Sequence, residues 1–130
     1  MDHQSKSEEE WKNLLTPEQF KILRKCGTDL PFTNKYYNNH ETGKYHCAGC
    51  GSFLFDSNEK FDSGSGWPSF TSPAHQNAIR FIEDNSHGMH RIEVQCANCG
   101  GHLGHVFDDG PEPTFKRYCI NSTSLDFKGT

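Results

Sequence analysis

Two short runs, Cys47-Ala-Gly-Cys50-Gly51 and Cys96-Ala-Asn-Cys99-Gly100, constrain this chain more than anything else in it. Each Cys-x-x-Cys-Gly puts two thiolates on one tight turn, where backbone N–H groups can support the sulfurs. Four thiolates at about 2.3 Å from a shared ion complete a closed tetrahedral site, and zinc suits it best. Four sulfur ligands leave no open coordination position, so such a metal is structural. The metal closes residues 51–95 into a loop, which couples its binding to folding. The competing reading is a redox dithiol. That motif opens a helix in a βαβ unit, and no such unit is legible here. The Cys spacings of iron–sulfur sites are not matched.

Composition explains why a staple is needed. Of 130 residues, 32% are hydrophobic, a thin supply for a globular core. The length suits one domain spanning 1–130. Lys+Arg 13 against Asp+Glu 17 gives a net charge of −4, which argues against nucleic acid or an anionic membrane as partner. No run of about 18 apolar residues exists, so no membrane-spanning helix is expected. The start, MDHQSKSEEE, is acidic and lacks an apolar segment, unlike a signal or transit peptide. A cytoplasmic location is therefore expected, where structural disulfides are rare and metal is the better use of 6 Cys.

Helix signals are confined to the first part of the chain. Ser7 followed by Glu8, Glu9 and Glu10 reads as an N-cap with acids in the first turn and predicts a short helix over about 8–14. Thr16-Pro17-Glu18-Gln19 is a capping box with Pro at the first helical position, flanked by Leu15 and Phe20 as a hydrophobic staple. Phe20 and Leu23 keep helical spacing, and Gly27 offers a stop. A second helix is thus predicted over about 17–25, with Cys26 at its exposed end. Residues 28–43 are turn-rich and read as a loop wrapping the domain. Beyond them, short strands alternate with Gly, Asp, Asn and Ser turns at 44–47, 52–55, 78–83, 90–95, 103–107, 115–121 and 124–127. The expected fold class is mainly β and antiparallel, with two N-terminal helices packed on it.

Two cysteines fall outside the knuckles, Cys26 and Cys119. In a strand through 115–121, a period of two puts Phe115, Arg117, Cys119 and Asn121 on one face and Tyr118 and Ile120 on the other. A thiol flanked by a guanidinium and an amide is a candidate for a stabilised, nucleophilic thiolate; a buried structural Cys is the plainer alternative. Upstream, Gly101-His102-Leu103-Gly104-His105-Val106-Phe107-Asp108-Asp109 sets two His beside two Asp, which suits acid–base groups with an orienting carboxylate or turn and surface histidines. Ser63-Gly64-Ser65-Gly66-Trp67-Pro68-Ser69-Phe70 fixes a Trp after a run of small residues. It reads as a seat for an apolar group such as a methyl on sulfur, or as a turn leading into core aromatics. No Gly-x-Ser-x-Gly elbow, P-loop or dinucleotide glycine motif is present. Asn121-Ser122-Thr123 fits a glycosylation sequon, expected to be unused without secretion.

Taken in order, Gly66-Trp67-Pro68-Ser69-Phe70, Gly101-His102-Leu103-Gly104-His105-Val106-Phe107, Asp109-Gly110-Pro111 and Arg117-Tyr118-Cys119-Ile120-Asn121-Ser122, around the two knuckles, closely resemble the B-type methionine-R-sulfoxide reductase family over about residues 10–127. The resemblance implies two antiparallel β-sheets in a tent-like arrangement, short N-terminal helices, and one structural zinc ion held by Cys47, Cys50, Cys96 and Cys99 away from the active site. It implies reduction of the R epimer of methionine sulfoxide, free or in oxidised proteins, with thioredoxin as reductant and a monomeric enzyme that repairs oxidised proteins. Cys119 matches the nucleophile and Trp67 the wall of the methyl pocket, with Phe70 and Phe107 as further apolar substrate contacts. His102, His105 and Asn121 match the polar groups around the sulfoxide oxygen, and Arg117 and Asp109 their supports. Many relatives carry a resolving Cys two residues before the Trp, where this chain has Ser65, and Ser cannot resolve. Some relatives have a Cys in the stretch that here reads Arg24-Lys25-Cys26-Gly27-Thr28, so Cys26 is expected to resolve Cys119.

Two other classes compete. Zinc-knuckle β domains also serve as interaction modules; on that reading Trp67 is an anchor and Cys119 is inert. A zinc hydrolase or deaminase needs an open metal position and a His-x-Glu motif, neither of which fits four Cys ligands.

Overall fold

The computed structural model describes residues 7–25, 27–32, 34–75, 77–85, 88 and 90–129. Two helices lead the chain, α1 (Glu8–Leu14) and α2 (Pro17–Lys25). Both begin on reciprocal caps. Ser7 Oγ accepts from the Glu10 N–H while Glu10 reaches back to Ser7. Thr16 Oγ1 accepts from the Gln19 N–H at 3.1 Å, and Gln19 Oε1 accepts from the Thr16 N–H at 3.0 Å. These bonds satisfy donors that a helix start leaves open.

Among the described residues nine strands follow, in two antiparallel sheets. The first sheet has the order β2–β1–β9, from β1 (Gly43–Cys47), β2 (Phe53–Asp56) and β9 (Leu125–Gly129). The second has the order β3–β4–β8–β7–β6–β5. It uses β3 (Lys60–Phe61), β4 (Ser69–Phe70), β5 (Ile79–Asp84), β6 (Arg91–Cys96), β7 (His102–Phe107) and β8 (Arg117–Ile120). The two-residue strands β3 and β4 are not legible in the sequence, because a pair that short shows no alternation. The predicted strand over 115–121 shortens to β8. Phe115 has φ +60° and lies in the preceding turn, so it leaves the face it was assigned.

Aromatic rings join the sheets. Phe70 of the second sheet stacks on Phe55 of the first at 4.4 Å and meets Tyr45 edge-on at 5.2 Å. All three rings are fully buried. Tyr118 and Ile120 of β8 face this core, as period two requires. The helices close the end of the structure that carries the knuckles. Trp11 of α1 is buried against Gly49, and Arg24 of α2 stacks on Trp11 and donates to the Cys99 carbonyl at 3.0 Å. Within the loop expected over 28–43, Asp29 bonds to Asn121 and Trp67, and Tyr36 to Ser122. No helix among the described residues is long and apolar enough to cross a membrane.

Candidate active site and metal centre

The turn after β1 carries Cys47 and Cys50, and the turn after β6 carries Cys96 and Cys99. Each turn ends on a glycine in the left-handed region, Gly51 at φ +83° and Gly100 at +75°. Each of these glycines donates its N–H to the carbonyl of the first Cys of its pair, both at 2.8 Å. A side chain there would strain the turn. The four sulfurs lie within 4.8 Å of one another, with Cys47–Cys99 at 3.7 Å and Cys50–Cys96 at 3.6 Å. Thiolates at tetrahedral zinc stand roughly 3.8 Å apart, given bonds of about 2.3 Å. The arrangement therefore fits a zinc ion, and it fits no bonded disulfide, since all four cysteines are free. Hydrogen bonds from the neighbouring sulfurs push Cys47 up and Cys50 down. Several thiolates in so small a space call for a divalent counter-charge.

A second cluster lies on one face of the six-stranded sheet. Strand pairing sets Ser69, Cys119, His105 and Glu93 in a row across β4, β8, β7 and β6, and partners in register point to the same side. A cavity of about 230 Å³ opens over this row. Trp67, His105, Phe107, Arg117, Cys119 and Asn121 line it, with Thr28, Ser65, Arg91 and Gly104. Trp67 is oriented by its Nε1–H, which donates to the Asp29 carbonyl at 2.9 Å. Arg117 is fixed on two sides. Its guanidinium lies 4.4 Å from the Phe107 ring centre, and it donates to both Asp109 oxygens at 2.9 and 3.2 Å. That pair holds the Asp109 carboxyl below its ordinary value.

Several expected site residues take other places. Phe70 is fully buried among core rings and does not reach the cavity, so its expected substrate contact is corrected to a packing role. His102 is 3% exposed and stands behind His105, with its Nδ1 2.8 Å from Glu93 Oε2. Asn121 lines the cavity, but its Nδ2 donates to the Leu103 carbonyl at 3.1 Å and to the Gly27 carbonyl at 3.5 Å. Its Oδ1 accepts from the Asp29 N–H at 2.9 Å. Both amide donors are committed, so Asn121 ties the 27–29 segment to β8. Asp109 lies in an adjoining polar cleft, which shares Ser65 and Arg117 with the cavity. Cys26 lies outside the described residues, although Thr28, two positions on, lines the cavity.

The Cys119 thiol corrects the expectation of a stabilised thiolate. Burial pushes it above its ordinary value; Arg117 and Ser65 oppose this without prevailing, since the Arg117 charge is shared with Asp109. His105 moves the other way. Burial lowers it, Arg91 and His102 add to that, and Asp84 opposes through a 2.8 Å contact at Nε2.

Sequence reasoning missed Ser65, Arg91, Glu93 and Asp84. Arg91 and Glu93 had a signal: they put charge at alternate positions of a strand that is otherwise half core. Asp84 had none. Its place beside His105 and 3.1 Å from Arg91 depends on how β5, β6 and β7 pair.

The molecule is thus a β domain with four cysteines placed to hold a metal ion and a partly buried Cys119 in an aromatic-walled cavity, and its relatives are oxidoreductases. Residues 15–129 match the SelR domain. The chain is 59% identical over 95% of its length to the peptide methionine sulfoxide reductase MsrB of Methanosarcina barkeri, 87% of which is covered. It is 56% identical over 95% of its length to that of Leptospira interrogans, 95% of which is covered. The chain belongs to the SelR family of MsrB-type peptide methionine sulfoxide reductases. A crystal structure of the Mis18 'Yippee-like' domain overlays with a TM-score of 0.53 at 17% identity, spanning 69% of this chain and 98% of that one. That likeness concerns the fold alone.

Proposed function

We propose that the protein reduces the R epimer of methionine sulfoxide, free or in oxidised proteins, to methionine, with Cys119 as nucleophile. The observation that carries the reading is the cavity, where Cys119 shares its walls with the apolar faces of Trp67 and Phe107 and with the His105 ring. Trp67 and Phe107 receive the S-methyl group, and the sulfoxide oxygen turns toward His105. The Cys119 sulfur attacks the sulfoxide sulfur. The thiol proton passes through His105 to the oxygen, which carries the developing negative charge. With a second proton from solvent the oxygen leaves as water; water then attacks the Cys119 sulfur, the S–S bond breaks, methionine leaves with that electron pair, the extra proton returns to solvent, and Cys119 is left as a sulfenic acid, oxidised by two electrons. Cys26 then condenses with it, forming a disulfide and releasing water. Thioredoxin returns both thiols by exchange. Arg117, held by Asp109, favours the thiolate, against burial and the Asp109 charge, while Asn121 and His102 hold the segments around it. Zinc, held by Cys47, Cys50, Cys96 and Cys99, is structural and takes no part in these steps. The net charge of −4 argues against nucleic-acid or anionic-membrane partners, and the enzyme is read as cytoplasmic and monomeric.

The test is single-turnover reduction of the two separated epimers of a methionine sulfoxide peptide without added reductant, followed by disulfide mapping by mass. Loss of the R epimer alone, with a Cys26–Cys119 bond, is expected. No reduction of either epimer by zinc-loaded protein would leave only an interaction module. Reduction without that bond would make direct reduction of the sulfenic acid the better account.

A further inference from the structure

The cavity floor contains a group of hydroxyls that the reaction above does not use. Ser63, Ser65 and Ser69 form a connected chain, with Ser63 Oγ 2.7 Å from Ser69 Oγ and 2.8 Å from Ser65 Oγ. One direction of donation follows from the shorter bond to the Trp67 carbonyl. Ser69 is fully buried and donates to the Trp67 carbonyl at 3.2 Å. Ser63 must then donate to Ser69, since each hydroxyl carries one proton. The Ser65 N–H donates to Ser63 Oγ at 3.2 Å. The proton of Ser65 Oγ has two acceptors within the group, Ser63 Oγ at 2.8 Å and the Trp67 carbonyl at 3.5 Å. Ser65 and Cys119 line the same cavity, and Ser65 acts to lower the Cys119 thiol, so the sulfur is a third acceptor open to this hydroxyl. Ser69, at the inner end, is the register partner of Cys119 across β4 and β8, so the chain and the sulfur are anchored to the same strand pair.

We propose that Ser65 is a further catalytic residue, a two-position hydroxyl that donates to Ser63 while Cys119 is a thiol and turns to donate to its sulfur when the thiolate forms. A buried thiolate without a donor loses hydration and gains nothing in exchange; one O–H aimed at it restores part of that loss. This rests on reading Cys119 as the reacting thiol, and it gives Ser65 a positive role where it cannot act as a resolving group.

The test reads Cys119 directly. Zinc-loaded full-length protein is alkylated with iodoacetamide across pH 6 to 10, and the Cys119 peptide is quantified by mass. In Ser65→Ala the alkylation midpoint is expected to move to higher pH, with the rate at pH 7.5 falling about 3- to 10-fold. Ser65→Thr, which keeps the hydroxyl, is expected to restore the wild-type profile. Ser63→Ala, which removes the middle of the chain but leaves the Ser65 hydroxyl, is expected to cause no upward shift. Superimposed profiles for Ser65→Ala and wild type would overturn the inference. So would an equal shift in Ser63→Ala, or failure of Thr to rescue. Alkylation needs no sulfoxide. A shifted profile in a protein that reduces neither epimer would therefore retire the reductase reading and leave the Ser65 role standing.

Discussion

Cys119 and His105 are displaced in opposite directions by the same cause, removal from water, and this sets the pH behaviour of the reaction. In the proposed mechanism the active form needs the thiolate and the imidazolium together. Raising pH makes more thiolate and less imidazolium in proportion, so their product is constant between the two midpoints. Single-turnover rates are therefore expected to be flat across neutral pH, falling below the depressed His105 midpoint and above the elevated Cys119 midpoint. A rate that climbs about tenfold per pH unit from 6 to 8 would rule this out. Asp84 favours the charged form of His105, so Asp84→Asn should move the acid limb to lower pH and lower the plateau. Two phenylalanines separate packing from substrate contact. Phe70→Ala, in the core, is expected to cost about 3–5 kcal/mol in urea unfolding. Phe107→Ala, on the cavity wall, is expected to reduce kcat/KM while costing less stability, because the ring is partly exposed.

Among the elements, α2 connects the metal end to the cavity. Its start rests on the Thr16–Gln19 box, and its last turn carries Arg24, bonded to the second knuckle. Beyond it, the 27–29 segment is held to β8 by Asn121. Thr16→Ala removes one cap and is expected to cost about 1 kcal/mol, seen as a fall of about 3–5 °C in Tm. An unchanged Tm would mean that the packing of Leu23 and Trp11 holds the helix without its cap. The box was readable from four consecutive residues. The strap was readable only as a loop, since its partners, Asn121 and Trp67, lie far along the chain.

Across the whole molecule, the four cysteines join the two sheets. Cys47 and Cys50 belong to the β1–β2 hairpin of the first sheet, and Cys96 and Cys99 to the β6–β7 hairpin of the second. A structural zinc supplies about 10–16 kcal/mol in small domains, as much as the entire stability of most folds. Removal of the metal with a strong chelator should abolish the cooperative melt and the near-UV circular dichroism, and zinc should restore both. A metal-free chain melting within a few degrees of the loaded one would assign the stability to the stacked Phe55, Phe70 and Tyr45 rings instead. The cavity lies on the second sheet, away from the knuckles, so metal loss acts on activity through the fold.

The sequence by itself determined the features carried by local spacing: two capped helices, two metal knuckles, and a strand that turns Cys119 away from the core toward which Tyr118 and Ile120 point. Each depends on a period or a turn only a few residues long. The tertiary structure decided which polar groups share the cavity and what state they hold. Cys119 looked like a thiolate beside Arg117, but burial outweighs a guanidinium already paired with Asp109. Asn121 looked like a substrate donor, but the neighbouring segment takes its amide. Phe70 follows Trp67 closely in the chain yet faces the opposite way, into the space between the sheets. Desolvation and hydrogen-bond competition depend on everything packed around a group, and strands far apart in sequence supply most of those neighbours.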